Sequence, residues 1–326
     1  MDIDLNVLRS LEREQELPFK ELVEIIEAAV LAAYHRHVGN HDKARAELDQ
    51  KTGHVVIFQT KFDEEGQEIG EEEATPEDFG RIAANAAKQV IAQRLREIAD
   101  EGLFGEFKGK DGDIVAGTIQ QGPKSHMVYV NLGSIEALMP PEEQVPSEDY
   151  SHGKRIRVYV TNVSKGLRGG PQVTVSRTHP GLIRKLFALE VPEISEGVVE
   201  IVSVAREAGH RTKIAVRAKD PAINAKGSCI GELGQRVRAV QAELNDEKID
   251  IVDYSEDLAE FVSHALSPAK VSSSFMLNAE DRQVRVLVPD FQLSLAIGKE
   301  GQNARLAAKL TGAKIDIQPD SILEDD

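Results

Sequence analysis

Two stretches of the chain carry the same potential chemistry in the same order: "IGELGQRVRAVQAELNDEKIDI" from Ile230 to Ile251 and "IGKEGQNARLAAKLTGAKIDI" from Ile297 to Ile317. Each holds two glycines separated by two residues, Gly231-Glu232-Leu233-Gly234 and Gly298-Lys299-Glu300-Gly301. Lacking a Cβ, such a pair lets the backbone turn sharply and come close to a ligand. A helix starting at the second glycine would aim free N–H groups and its positive dipole end into the same space, where a phosphate or sugar can sit. Gln235, Arg236 and Arg238 follow the first pair, and Gln302, Asn303 and Arg305 the second. A lone Gly-x-x-Gly is usually a helix cap or a tight turn. Two copies at matching places, with a period near 67 residues, point to a repeated domain with a shared task.

The surroundings of each copy supply the elements that would hold the loop. "HPGLIRKLFALEV" reads as a helix, "GVVEIVSVAREAGHRTKIAV" as two strands around a turn, and the first copy as helix, loop, helix and strand. "EDLAEFVSHALS", "FMLNAEDRQVRVLVPD" and the second copy repeat that order. It resembles the order of the bacterial-type (type II) KH domain, in which Gly-x-x-Gly clamps about four nucleotides of single-stranded backbone. Glu232 would repel a phosphate, so the second loop, with Lys299 beside Glu300, is expected to grip more strongly. The two domains should be joined by a short segment near Asp253 to Asp257, and Ala304, Ala307 and Leu310 should pack the second.

Before the repeat, "GDIVAGTIQQG", "HMVYVNLGSIEALMP", "GKRIRVYVTNV" and "PQVTVSR" alternate apolar and polar residues between Gly and Pro turns. Short strands at this spacing predict a small OB-type barrel, and their order resembles the S1 RNA-binding domain. Between Ser151 and Leu189 there is no acidic residue, whereas Lys154, Arg155, Arg157, Lys165, Arg168, Arg177, Arg184 and Lys185 fall there. Lys154, Arg155 and Arg157 are the candidate RNA contacts of the barrel. With no tryptophan in the chain, stacking would fall to Tyr129, Tyr159 or His126, unless these are scaffold residues.

The first 105 residues differ in kind, with 23 acidic against 12 basic residues in a chain of net charge −16. An acidic head on a locally basic body suggests two kinds of partner. "LPFKELVEIIEAAVLAAYHRHV" has helical spacing with Pro18 in its first turn, and "GHVVIFQTKFDEEG" reads as strand material closed by the acidic run "EEGQEIGEEEA". "TPEDFGRIAANAAKQVIAQRLREIADEG" reads as a helix capped by Thr75, with Pro76 first, ending before Gly102. No apolar stretch approaches the roughly 20 residues of a membrane span, and the acidic start does not resemble a signal peptide. The single Cys229 excludes an internal disulfide, fits a reducing cytoplasm and should be a buried small side chain. His35, His37 and His41, placed just past a helix end with no cysteine partner, fit solvated or capping roles better than a metal site. No cofactor, metal or catalytic residue is expected.

The whole order, α/β head, S1 barrel, KH, KH, resembles the NusA family of bacterial transcription elongation, termination and antitermination factors. The likeness is carried by "TPEDFGRIAANAAKQVIAQRLRE", "LFALEVPEISEGVVEIVSVAREAGHRTKIAV" and "LAIGKEGQNARLAAKLTGAKIDI". The expected architecture is multidomain α+β, with a head over 1–105, S1 over 106–180, and KH domains over 181–257 and 258–326. The resemblance implies that the head binds RNA polymerase near its RNA exit channel, that S1 and the KH pair hold nascent single-stranded RNA, and that other Nus factors take part. It implies effects on pausing, termination and antitermination by a cytoplasmic, monomeric protein off the membrane. Some members carry further acidic repeats after the second KH domain, and any autoinhibition by them should be absent from a chain ending in "SILEDD". Phosphorolytic ribonucleases also carry S1 and KH domains, but 105 residues are too short for their catalytic core. A ribosome-associated or translational S1/KH protein would explain the body and leave the head unexplained.

Overall fold

The computed structural model describes residues 3–15, 18–39, 43–63, 66–124, 126–166 and 170–323; His41 and Arg168 lie outside them. The chain forms two compact units, residues 1–106 with 165–171, and residues 107–164 with 172–326.

The first unit opens with helices α1 (Leu5–Gln15) and α2 (Phe19–Val38), followed by strands β1 (Ala44–Leu48), β2 (Val55–Phe62) and β3 (Glu68–Glu73) and helix α3 (Phe79–Phe107). The strands form an antiparallel sheet in the order β1-β2-β3. Val23, Ile26, Val30 and Ala33 of α2 meet Ile57 of β2 and Phe79, Ala83 and Ala87 of α3 in one core. Three expectations need correction. The acidic run contains a strand, since Glu71 and Glu72 are paired across the sheet with Arg45 and Lys61 and so carry little net repulsion. Thr75 does not cap α3, because its Oγ1 accepts the Ile57 amide at 3.0 Å and the helix starts at Phe79. Nor does α3 stop before Gly102; it runs to Phe107, a residue of the barrel core.

The barrel uses β4 (Ile114–Gln120), β5 (Val128–Asn131), β6 (Glu136–Met139), β7 (Arg155–Lys165) and β8 (Pro171–Ser176), closed in the order β4-β5-β6-β8-β7. Strand β4 pairs antiparallel with β5 and β7, as β5 does with β6, and β6 meets β8 in parallel, a closure of the OB type. Alternation along β7 turns Ile156, Val158 and Val160 inward, leaving Arg155 and Arg157 exposed.

Each half of the repeat folds as its pattern predicts. The first has α4 (Pro180–Glu190), α5 (Pro192–Ser195), β9 (Val199–Glu207), β10 (Arg211–Ala218), α6 (Ala225–Ile230), α7 (Gln235–Glu243) and β11 (Lys248–Asp253). The second has α8 (Leu258–Ala265), β12 (Ser273–Asn278), β13 (Gln283–Val288), α9 (Leu293–Ile297), α10 (Gln302–Thr311) and β14 (Lys314–Pro319). In both sheets the middle strand runs antiparallel to the first and parallel to the last. The joint is as short as expected, with Asp257 capping α8 through the Ala259 and Glu260 amides.

The first repeat's sheet is covered on both faces. Ile214, Val216 and Ile251 pack with Leu182, Phe187 and Val240. On the other face Ala205, Ala215 and Val252 join Phe261, Val262, Leu306, Ala307 and Leu310 of the second repeat in a single core. Ala307 and Leu310 thus pack the second domain as expected and also fasten it to the first, whereas Ala304 is only half-buried and lies outside this core.

The barrel is fastened to the first repeat by buried charge. Arg177, with its side chain 3% exposed, is paired with Glu148, itself 5% exposed, and donates to the carbonyls of Arg157 and Glu243 at 2.8 Å. Arg206 donates to both Glu247 oxygens at 2.9 and 2.8 Å and to the Arg177 carbonyl at 2.7 Å. Burial is the largest influence on Glu247 and pushes its carboxyl up. Arg206, the Thr212 hydroxyl and the Gly209 amide together outweigh it and hold the group below the usual carboxylate range. Burial likewise acts against Asp250, which Arg211 and Lys213 bring below its ordinary value.

Carboxylates with depressed folded-state values contribute stability above their unfolded values, near 4, and lose it as the pH falls through the folded ones. The melting temperature of the full chain, followed by calorimetry, should therefore be level from pH 7 to about 5 and fall below about 4. Glu247→Gln leaves the buried Arg206 charge without its partner. It should destabilise by about 3 kcal/mol or more at pH 7 and flatten the acid-side fall.

Candidate nucleic-acid interface

The two Gly-x-x-Gly loops have the same backbone. Gly231 has φ 74° and ψ 174° and Gly298 φ 79° and ψ 168°; Gly234 has φ 76° and ψ 17° and Gly301 φ 72° and ψ 13°. Between them Leu233 and Glu300 are also left-handed, at φ 50° and 53°. In each loop the second glycine's amide donates to the first glycine's carbonyl at 3.1 Å, closing the turn. Neither α7 nor α10 has a side-chain cap at its glycine N-cap, so no side chain occupies the amides of the first helical turn there.

The residues behind the loops serve it in different ways. Arg236 donates from Nη1 to the Ser228 carbonyl at 2.7 Å and to Glu193 at 2.8 Å. Asn303, 67 positions later, is buried and donates from Nδ2 to the carbonyls of Leu266 at 2.9 Å and Ala296 at 3.0 Å. Both act as latches beneath the turn, Arg236 through Nη1 and Asn303 through Nδ2. They also explain the first glycine. A Cβ on Gly231 would lie 2.6 Å from Arg236 Cγ, and one on Gly298 would lie 2.8 Å from the Asn303 amide nitrogen, whereas one on Gly301 would meet nothing within 4 Å.

Other expected site residues face solvent. Glu232, Leu233, Gln235, Arg238, Lys299 and Glu300 are exposed, with Leu233 86% exposed at the tip of its turn. Arg305 donates from Nε to Glu207 at 2.6 Å, and Gln302 reaches the other oxygen of Glu207 at 2.8 Å. Arg305 is the main cause that holds the Glu207 carboxyl below its usual range. Glu207 ends β9 of the first repeat, so the second loop opens onto the first domain across a cleft of roughly 620 Å³ that also holds His210, Arg211 and Lys248. Sequence reasoning missed this carboxylate. "REAGHRT" marks it as part of a turn, and nothing in its spacing relates it to a residue 98 positions later.

On the barrel, Arg155 lines a cleft of roughly 370 Å³ with Gly117, Thr118, Gln120 and Asn131. Arg157 is paired with Glu243 of the first repeat at 2.9 Å, and Lys154 donates to the Asp149 carbonyl at 3.1 Å. Much of the acid-free run is turned to structure. Arg177 is buried, Arg184 donates to the carbonyls of Ile201 and Val202, and Lys185 pairs with Asp113 at 2.6 Å. Tyr129 is buried, and Tyr159 stacks on His179 at 4.4 Å between ring centroids, so both belong to the scaffold. His126 is exposed.

Cys229 is fully buried, and burial pushes its thiol up to about 12, away from thiolate chemistry. His35 and His37 lie in the last turn of α2, inside the helix end where the sequence suggested they fell just past it. Among the described residues no group of three or more His, Cys, Asp or Glu side chains is placed to hold a metal ion, and no helix is long and apolar enough to cross a membrane.

Family models match in the order of the fold: the NusA N-terminal domain over 5–62 and 60–101, the S1 RNA binding domain over 108–170, the NusA-like first KH domain over 177–254 and the NusA-like second KH domain over 258–325. The transcription termination/antitermination protein NusA of Mycobacterium bovis is 53% identical over 328 residues, covering 98% of this chain and 94% of that protein. The Bacillus subtilis protein of the same name is 48% identical, covering 97% and 91%, and that of Thermus thermophilus 45% identical, covering 74% and 62%. With identity of this order along nearly its whole length, the chain belongs to the NusA family of transcription termination/antitermination proteins.

Proposed function

We propose that this chain holds nascent single-stranded RNA on its two Gly-x-x-Gly loops and the Arg155 face of its barrel, and binds RNA polymerase through residues 1–105. The division into residues 1–105, 106–180, 181–257 and 258–326 belongs to this reading. The observation that carries it is the pair of loops, whose backbone angles agree within about 6° and whose following helices start without a side-chain cap. A turn this unusual, built twice with different latching residues beneath it, supports a shared ligand for the backbone amides. The S1 and KH domain matches and the names of the relatives support RNA as that ligand and transcription as the setting. Other Nus factors as further partners, a monomeric state, a cytoplasmic location and the absence of catalysis complete the reading.

The loops should differ in strength. The second offers Lys299, and the first offers Glu232 with Arg238 as its exposed cation. Substitution of the second glycine of each pair is the cleanest test, because those positions are more open than the first ones. Gly301→Asp should weaken binding of a labelled single-stranded RNA of about ten nucleotides by tenfold or more. Gly234→Asp should weaken it less, and the pair should lose more than either alone, because one strand held at two points gains from effective concentration. Circular dichroism checks the fold of each variant. A folded double variant that binds as well as the parent would remove the loops from the interface.

Glu207 occupies Arg305 in the free protein. Glu207→Gln should release this cation to a phosphate, so the slope of log affinity against log salt should steepen by about 0.7, the value for one more phosphate neutralised on a single strand.

Finally, a fragment beginning at Phe107 should keep the RNA affinity of the whole chain and lose polymerase, while residues 1–105 should retain polymerase from a bacterial lysate. Retention of ribosomal subunits in place of polymerase would favour a translational role.

A further inference from the structure

Among the solvent-facing apolar side chains, one is tied by chain position to the second loop. Phe291 is 81% exposed, and four residues on Leu295 is 44% exposed. Gly298, the first loop glycine, follows three residues later, so 291, 295 and 298 fall at helical spacing on one face running from the turn Asp290–Gln292 through α9 into the loop. Ala296, on the other side of α9, is fully buried in the shared core.

Strand β14 lies beside α9 and fixes where this ridge ends. Pro319 at the end of β14 pairs with Val288, and Ser321 in the turn beyond it donates to Asp290 at 2.9 Å. Ile322 in that turn is 47% exposed. One end of the α9–β14 side of the domain is therefore the Gly-x-x-Gly turn, and the other is an exposed phenyl ring. The first repeat is different. The position matching Phe291 is Asn224, whose Oδ1 caps α6 by accepting the Gly227 amide at 2.8 Å, and the position matching Leu295 is Ser228.

We propose that Phe291 is a stacking platform for one base of the strand held by the second loop, an aromatic subsite that the first repeat lacks. The proposal rests on RNA binding at that loop. An exposed phenyl offers a face to any base, whereas the neighbouring Asp290 carboxylate disfavours a phosphate at the same spot, so the ring suits the base and not the backbone. With Tyr129 and Tyr159 committed to the scaffold, Phe291 supplies the aromatic face that the barrel's tyrosines do not.

The test uses the full chain and single-stranded RNAs of about ten nucleotides in which one abasic residue is walked along the strand. At one position the missing base should weaken binding to the parent about tenfold. There Phe291→Ala should bind intact and abasic strands alike, and Phe291→Tyr should restore the parent's preference. The chain has no tryptophan, so Phe291→Trp adds a single indole whose emission should be quenched by intact RNA and spared by the strand abasic at that position. A parent that fails to bind intact RNA sinks the RNA reading itself. A parent that binds, with Phe291→Ala equally sensitive to every abasic position, overturns the platform alone. Emission that changes with protein concentration in the absence of RNA would assign the ring to a contact between copies and overturn it too, as would a Phe291→Ala variant that loses polymerase and keeps RNA.

Discussion

Strand β10 is buried on both faces, and the arrangement of both loops depends on that. A strand with one solvated side would alternate polar and apolar residues, but Thr212 through Val216 are buried without a break. Ile214 and Val216 hold the helices of the first repeat, and Ala215 with Ala205 and Val252 holds α8 and α10 of the second. The small side chains at 205 and 215 let α10 lie close to the sheet. Because α7 and α10 follow the two loops, packing both around one sheet sets the loops in a defined relation that a flexible tether could not give.

The charged residues follow the same division between scaffold and surface. Arg206–Glu247 and Arg177–Glu148 are desolvated pairs, and Lys213 is buried with its Nζ 2.9 Å from Asp250 and 2.6 Å from the Ser267 carbonyl. Burial pushes the Lys213 ammonium below its usual value, with Asp250 acting against that shift. Such pairs add little net stability over an apolar contact but penalise any arrangement that separates the partners. They sit where the barrel meets the first repeat and where the first repeat meets the second, and so fix how those domains are oriented. Exposed cations near the loops, Arg238 and Lys299, carry no such structural duty.

The two repeats share a backbone and differ in chemistry. One latches its turn with an arginine and a glutamate, the other with a buried asparagine. One caps its first helix with Asn224 where the other exposes Phe291. The divergence is concentrated in residues that surround the turn, while the glycines that allow its left-handed conformation recur.

The sequence by itself determined the family, the domain order, the helix–strand order of both repeats and the loop glycines, because these depend on short-range facts: residue periodicity, turn chemistry and the need for a missing Cβ at positive φ. It misread Thr75 as a cap and missed the strand within "EEGQEIGEEEA", since both are set by pairing with the preceding strand β2. The duties of the cations were likewise decided only by tertiary structure. Arg155, Arg177, Arg236 and Arg305 look alike in the chain. Folding leaves the first in an open cleft, buries the second against Glu148, turns the third under its own loop and pairs the fourth with Glu207 of the neighbouring domain. A side chain's charge is local, but whether it is neutralised depends on partners that only the packed chain brings within about 3 Å.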